Sequence, residues 1–139
     1  MDLAELIFTS REYLAHFTYA EYPDHFAAFS QNVQPYFDDL SGADLQEQTK
    51  RLIEVIDQRL AGMPRREKKE STIQIKQVMA LFLGPSALRY GQNAVAFAQC
   101  LCQSWNEKYP RNAFYLGDFD TLMKGFDANF LGITLRKYK

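Results

Sequence analysis

Apolar residues recur along most of the chain at intervals of three and four, which is the spacing of one face of an α-helix. They predict a helix over residues 2–20 and a second helix that starts at Pro23 and Asp24. Pro35 is expected to kink or split the second helix, because proline lacks the N–H that donates the helical hydrogen bond. The two stripes are Leu3, Leu6, Ile7, Leu14 and Phe17, then Phe26, Phe29, Val33, Phe37 and Leu40.

A third helix is predicted to begin at a capping box, in which Ser41 precedes Asp44 by three residues. Gly62 and Pro64 are typical stop signals and predict its end. The stripe between these signals contains Leu45, Thr49, Leu52, Ile56, Leu60 and Met63.

The remainder of the chain continues the helical pattern. The fourth helix begins in the charged run at residues 65–70 and is expected to stop at Gly84 and Pro85. The fifth is predicted from about Ser86 to Tyr109. The last segments are a sixth helix over about 118–132 and a tail over 133–139, which is expected to be extended.

This series of elements predicts an all-α fold, with one domain over residues 1–139. The expected architecture is a bundle of five or six helices with short connections and an extended C-terminal tail. The residues expected to be most buried are Leu52, Ile56, Phe82, Phe97, Leu101, Trp105, Phe126 and Phe130.

Charge is distributed unevenly along the chain, although the net charge is only −1. Residues 1–48 hold nine acidic residues and one basic residue, Arg11, whereas residues 49–139 hold fifteen basic and eight acidic residues. Such an asymmetry either joins the two parts to each other or presents a charged surface to a partner. The sequence leaves open whether the acidic part docks on the basic part within one chain or between two chains.

The fifth helix is unusual because no charged residue lies between Arg89 and Glu107. One face is apolar, and the opposite face carries uncharged polar residues where lysine and glutamate are expected on a solvent-exposed helix. Three interpretations remain open: a central helix contacted on all sides, a protein–protein interface, or an amide-lined groove for a small molecule. The candidate interface residues are Gln92, Gln99, Gln103 and Asn106.

Two basic clusters are candidates for phosphate contacts. They consist of Arg65, Arg66, Lys68 and Lys69 at the start of the fourth helix, and of Arg136, Lys137 and Lys139 in the C-terminal tail. Glu67 and Glu70 interrupt the first cluster, and the sequence pI of about 6.1 is low for a nucleic-acid-binding domain. The alternatives are solvated charges or attraction to the acidic part of the same protein.

Few residues have the spacing that catalysis or metal binding requires. His16 and His25 each follow a glutamate by four residues, whereas di-iron bundles use a spacing of three and additional glutamates. Cys100 and Cys102 point in different directions on one helix, so neither a disulfide nor a shared metal ion is expected. No catalytic residue, metal or cofactor is therefore predicted.

The leading hypothesis is a non-catalytic helical module that binds protein, including a second copy of itself as a homodimer. The alternatives are a nucleic-acid-binding regulator that uses the two basic clusters, and an enzyme or small-molecule binder with an aromatic pocket. Free thiols without a disulfide framework favour a cytoplasmic location. The sequence contains no apolar run of membrane-spanning length, so no membrane partner is expected.

Overall fold

The computed structural model describes residues 2–12, 19–40 and 44–113 of the chain. Within these ranges 87% of the residues are helical and none is in a strand, which confirms the all-α prediction. The predicted sixth helix at 118–132 and the tail at 133–139 lie outside the described residues, as do the expected core residues Phe126 and Phe130.

Five helices of nine residues or more form the described part of the fold. They are α1 (Leu3–Arg11), α2 (Tyr22–Asp38), α3 (Leu45–Ala61), α4 (Arg65–Val78) and, after a short α5 (Gly84–Ala87), the long α6 (Gln92–Lys108). A π-helical segment, Met79–Leu83, joins α4 to α5 without a break. Single 3₁₀ turns are present at Tyr19–Glu21 and Pro110–Asn112.

The prediction of a capping box for α3 is wrong. The helix begins at Leu45, after Asp44, whose φ of 69° is left-handed and whose side chain makes no cap hydrogen bond. Asp44 tolerates this conformation better than most residues do, so a turn and not a capping box starts the helix. Ser41 lies outside the described residues.

Pro35 does not split α2, which continues through it to Asp38. The missing N–H would have bonded to the carbonyl of Gln31, and both Gln31 and Pro35 are exposed, so that water can satisfy this carbonyl. Because only three residues follow Pro35 in the helix, the loss of this hydrogen bond affects only the last turn of α2. The predicted start of the helix near Pro23 is confirmed, since α2 begins at Tyr22.

The predicted stop at Gly84 and Pro85 is also wrong, because the helical conformation continues to Ala87. Pro85 cannot donate to the carbonyl four residues earlier, which belongs to Leu81. The chain accommodates this loss by widening into the π-helical segment, and the Leu81 carbonyl accepts a hydrogen bond of 2.7 Å from the hydroxyl of Tyr22. The break occurs instead at Gly91, whose φ of 99° suits glycine, so α6 starts at Gln92 and not at Ser86.

The described helices pack around one hydrophobic core. The helix α3 lies against α6, α1 against α4, and α2 against the π-helical segment and α5. Thr49 contacts Ser104, and Asp57 contacts Tyr109 further along both helices, so α3 and α6 run parallel. In sequence, α4, the π-helical segment, α5 and the turn before α6 lie between these two parallel helices.

The core matches most of the expected residues. Ile56, Phe82, Phe97, Leu101 and Trp105 are buried, as predicted. Leu52 is only half-buried, and its neighbour Ile53 is buried in its place, because the buried face of α3 contains Leu45, Thr49, Ile53, Ile56 and Leu60.

The acidic part of the chain packs against the basic part within a single chain. Helix α1 contacts α3 and α4, and a carboxylate oxygen of Glu5 lies 2.8 Å from a guanidinium nitrogen of Arg59. Few other acidic residues take part in such pairs. Within the described ranges, Asp2, Asp38 and Asp39 form no ion pair, although the carboxylate of Asp2 caps α1 by accepting a hydrogen bond of 2.8 Å from the backbone N–H of Glu5.

Candidate functional site

An open apolar cleft of about 390 Å³ lies where α2, α3 and α6 meet the start of α1. Its deepest members, Leu3, Phe37 and Phe97, are buried core residues. The side chains nearer to the solvent are Tyr36, Leu40, Leu52 and Val55, and the polar lining residues are Asp39, Gln48 and Arg51. The cleft is therefore an opening into the core of the bundle, not a separate polar cavity.

Helical spacing explains how the apolar walls arise. Leu52 and Val55 are three residues apart on α3, so they lie on one side of that helix, whereas Tyr36 lies in the last turn of α2 and Leu40 follows the helix. Val55 is 44% exposed, which makes it one of few large apolar side chains on the described surface. Covering an apolar side chain in that position with a partner removes it from water, which lowers the free energy.

The rim of the cleft is acidic. Asp38 and Asp39 stand at the C-terminal end of α2. The pKa of the Tyr36 hydroxyl is raised mainly by burial and secondly by the negative charge of Asp2, which therefore lies near Tyr36. Arg51, the one basic residue among the described residues that line the cleft, lies 3.0 Å from Glu47, which balances its charge. Among the described residues, the rim therefore carries more carboxylates than basic groups.

The candidate interface on α6 is partly open to solvent. Gln92 and Gln103 are exposed, whereas Gln99 and Asn106 are half-buried. The interpretation of α6 as a helix contacted on all sides is therefore wrong at Gln92 and Gln103. The opposite face is buried as predicted, with Ala94, Phe97, Ala98, Leu101 and Trp105 in the core.

Of the two candidate phosphate-binding clusters, the first lies within the described residues. Arg65, Arg66, Lys68 and Lys69 are exposed at the start of α4, next to the equally exposed Glu67 and Glu70. The second cluster, Arg136, Lys137 and Lys139, lies outside the described residues.

A polar cluster that the sequence did not reveal joins the ends of α3 and α6. The hydroxyl of Tyr109 donates a 2.6 Å hydrogen bond to a carboxylate oxygen of Asp57, and Lys108 lies 3.6 Å from Glu54 and 3.7 Å from Asp57. Burial and the bond to Asp57 both raise the pKa of the Tyr109 hydroxyl, which keeps it protonated as a donor. The cluster fixes the two helices to each other and offers no activated nucleophile.

The described residues contain no group of three metal-ligating side chains. His25 lies 3.6 Å from Glu21, and His16 is outside the described residues. Cys100 and Cys102 are free thiols, and burial raises the pKa of both, that of Cys102 to about 12. Since the thiolate is the reactive form, neither cysteine is prepared for nucleophilic chemistry at neutral pH.

Comparisons with known proteins show no relationship: no family model, no curated protein and no solved structure matches this chain. Among the helices of the described ranges, none is both long and apolar enough to span a bilayer.

Proposed function

We propose that the protein is a non-catalytic interaction module that binds another protein through the apolar cleft. The observation that supports this proposal is the exposed apolar wall formed by Leu52 and Val55 above the buried rings of Phe37 and Phe97. Protein interfaces place apolar and aromatic side chains at the centre and polar side chains at the rim. The cleft has this distribution, with Asp39 at its edge.

A small molecule is the second candidate occupant, because the volume of the cleft falls within the range of about 300–1,000 Å³ that is usual for ligand sites. Such sites generally combine apolar walls with a few polar groups that converge on the ligand. Here Asp39, Gln48 and Arg51 are the polar lining residues, and Arg51 is already paired with Glu47. The apolar character of the cleft therefore favours the side chains of a protein.

A selection of displayed helical peptides against the purified protein tests the proposal. Selected peptides should bind the wild type and lose most of their affinity for Val55→Ala, which removes exposed apolar surface without altering the core. Ile73→Ala is the matched control, since Ile73 is 43% exposed on α4 and does not line the cleft. Peptides that bind Val55→Ala and Ile73→Ala equally well would contradict a role of the cleft.

Self-association is a more specific form of the proposal, in which the amide face of α6 pairs with the same face of a second copy. An uncharged face is desolvated more cheaply than one with lysine and glutamate, provided that its amides find hydrogen bonds. The exposure of Gln92 and Gln103 leaves room for such a contact. The reduced state of Cys100 and Cys102 supports a cytoplasmic location for the module.

A further inference from the structure

We infer that the partner segment is a cationic amphipathic helix, whose apolar side chains enter the cleft while its lysine or arginine residues face the acidic rim. This inference rests on the proposed function and specifies the chemistry of the partner. It follows from three features of the cleft: its apolar walls, the acidic residues at a helix end, and the pairing of Arg51, the basic residue among the described lining residues, with Glu47.

The apolar walls suit a helix because Leu52 and Val55 are themselves spaced by about one turn of α3. Leu52 and Val55 form one wall, and Tyr36 and Leu40 form the other, so the cleft is a groove between α2 and α3. An amphipathic helix presents apolar side chains at intervals of three and four residues along one face, and a helix in a groove is a common mode of peptide recognition.

Asp39 lines this groove and Asp38 precedes it in the chain, so two carboxylates stand at the α2 end of the groove. They lie at the C-terminal end of the helix, where the macrodipole already contributes about half a negative charge, and the last turn of α2 contains no basic residue. Acidic residues in this position reduce the stability of their own helix. Their location at the rim of an exposed apolar groove therefore indicates a role in attracting a cationic partner.

The described part of the chain does not supply the cation. Arg51 is the basic residue that lines the cleft, and it is paired with Glu47 at 3.0 Å. Asp39 has no ion-pair partner within the described ranges, although its side chain borders the groove. A bound lysine or arginine would relieve the repulsion among these carboxylates and the helix end.

Two synthetic peptides of identical length and leucine spacing test the inference, one with lysine and one with glutamate at every polar position. Fluorescence anisotropy at low salt measures their binding to the full chain. We expect the lysine peptide to bind and the glutamate peptide to bind at least tenfold more weakly. Combining Asp38→Asn with Asp39→Asn should weaken the lysine peptide about fivefold, the effect of losing two exposed ion pairs.

The matched control is Asp24→Asn, which removes an exposed carboxylate at the opposite end of the same helix. It should leave binding of the lysine peptide unchanged. The double variant should also unfold at a higher denaturant concentration than the wild type, because it removes charges that oppose the helix dipole. Weaker binding together with higher stability separates a role in recognition from a role in folding.

Two results would overturn the inference. If both peptides bound equally well and both lost affinity for Val55→Ala, the groove would bind apolar helices without regard to charge, and the proposed function would stand. If neither peptide bound while the peptide selection still yielded ligands that depend on Val55, the partner would not be a cationic helix. If that selection also gave no such ligands, the proposed function itself would fail.

Discussion

Replacing Tyr22 with phenylalanine tests how the chain tolerates a proline inside its most buried helical segment. The Tyr22 hydroxyl donates a 2.7 Å hydrogen bond to the carbonyl of Leu81, which loses its usual helical donor because Pro85 has no N–H. The substitution removes one oxygen and keeps the ring, whose centroid lies 5.8 Å from those of Phe26 and Phe82. Packing should therefore change little.

The cost of Tyr22→Phe follows from the surroundings of the carbonyl. Leu81 is fully buried, so water cannot readily replace the lost donor. A buried polar group without a partner costs about 1–3 kcal/mol, and we expect a loss of about 2 kcal/mol. With an m-value of about 2 kcal/mol per molar of urea, the unfolding midpoint should fall by about 1 M.

The companion variant Pro85→Ala makes the explanation specific. Alanine supplies the missing N–H four residues after Leu81, so the carbonyl regains a donor of its own. Pro85→Ala also changes the freedom of the unfolded chain, and a double-mutant cycle removes that contribution. Tyr22→Phe should cost about 1 kcal/mol less in the Pro85→Ala background than in the wild type, a difference within the usual range for coupled neighbours.

Two measurements could refute this account. An unchanged urea midpoint for Tyr22→Phe would mean that the bond to Leu81 contributes nothing, and equal costs in the two backgrounds would mean that Pro85 does not create the need for it.

The pH dependence gives a further check. Burial raises the pKa of Tyr22 above its ordinary value near 10, so its contribution is present below about pH 10 and decreases above it. The difference in the free energy of unfolding between the wild type and Tyr22→Phe should therefore become smaller as the pH rises above about 10.

Three further predictions concern the core, the thiols and self-association. Leu101→Ala should lower the free energy of unfolding by about 2–5 kcal/mol, because Leu101 is fully buried; an unchanged denaturant midpoint would contradict this. Iodoacetamide should modify Cys100 before Cys102, which is only 2% exposed, as peptide mass spectrometry can show; equal rates would contradict the burial of Cys102. If the wild type dimerises through α6, placing glutamate at both Gln99 and Gln103 should shift light scattering towards the monomer, and a wild type that stays monomeric at high micromolar concentration would exclude the homodimer.

The helices could be predicted from the sequence because their apolar period is near 3.6 nearly everywhere, whereas the effects of two prolines, Pro35 and Pro85, could not. Pro85 and Gly84 are strong stop signals by themselves, but the hydroxyl of Tyr22, 59 residues from Leu81, replaces the missing donor. Pro35 lies so near the end of α2 that its effect is small. In both cases the outcome depends on solvent or on a distant residue, which a local pattern does not contain.

The candidate site was less accessible to sequence reasoning than the fold. The charge-free run in α6 predicts an interface that stays a prediction, and the cleft combines side chains from several helices whose arrangement the pattern does not specify. One signal was present: Val55 and Leu52 extend the apolar stripe of α3 beyond the face that Ile53 and Ile56 bury. When the apolar arc of a helix is wider than the face that packs against its neighbours, part of the arc stays exposed and is available to a partner.

The hydrogen bond between Tyr22 and Leu81 joins elements that are far apart in sequence, and this distance limits how early the fold can form during synthesis. The apolar face of α2 packs against a segment that is made about 60 residues later, and Arg11 of α1 likewise bonds to Ser71 after a similar interval. At a translation rate of about 5–20 residues per second, these contacts wait for about 3–12 seconds. During this time α2 cannot pack Phe29 against Phe82, which is one of its final neighbours. A chaperone that covers exposed apolar helices on the ribosome would therefore act first on α1 and α2.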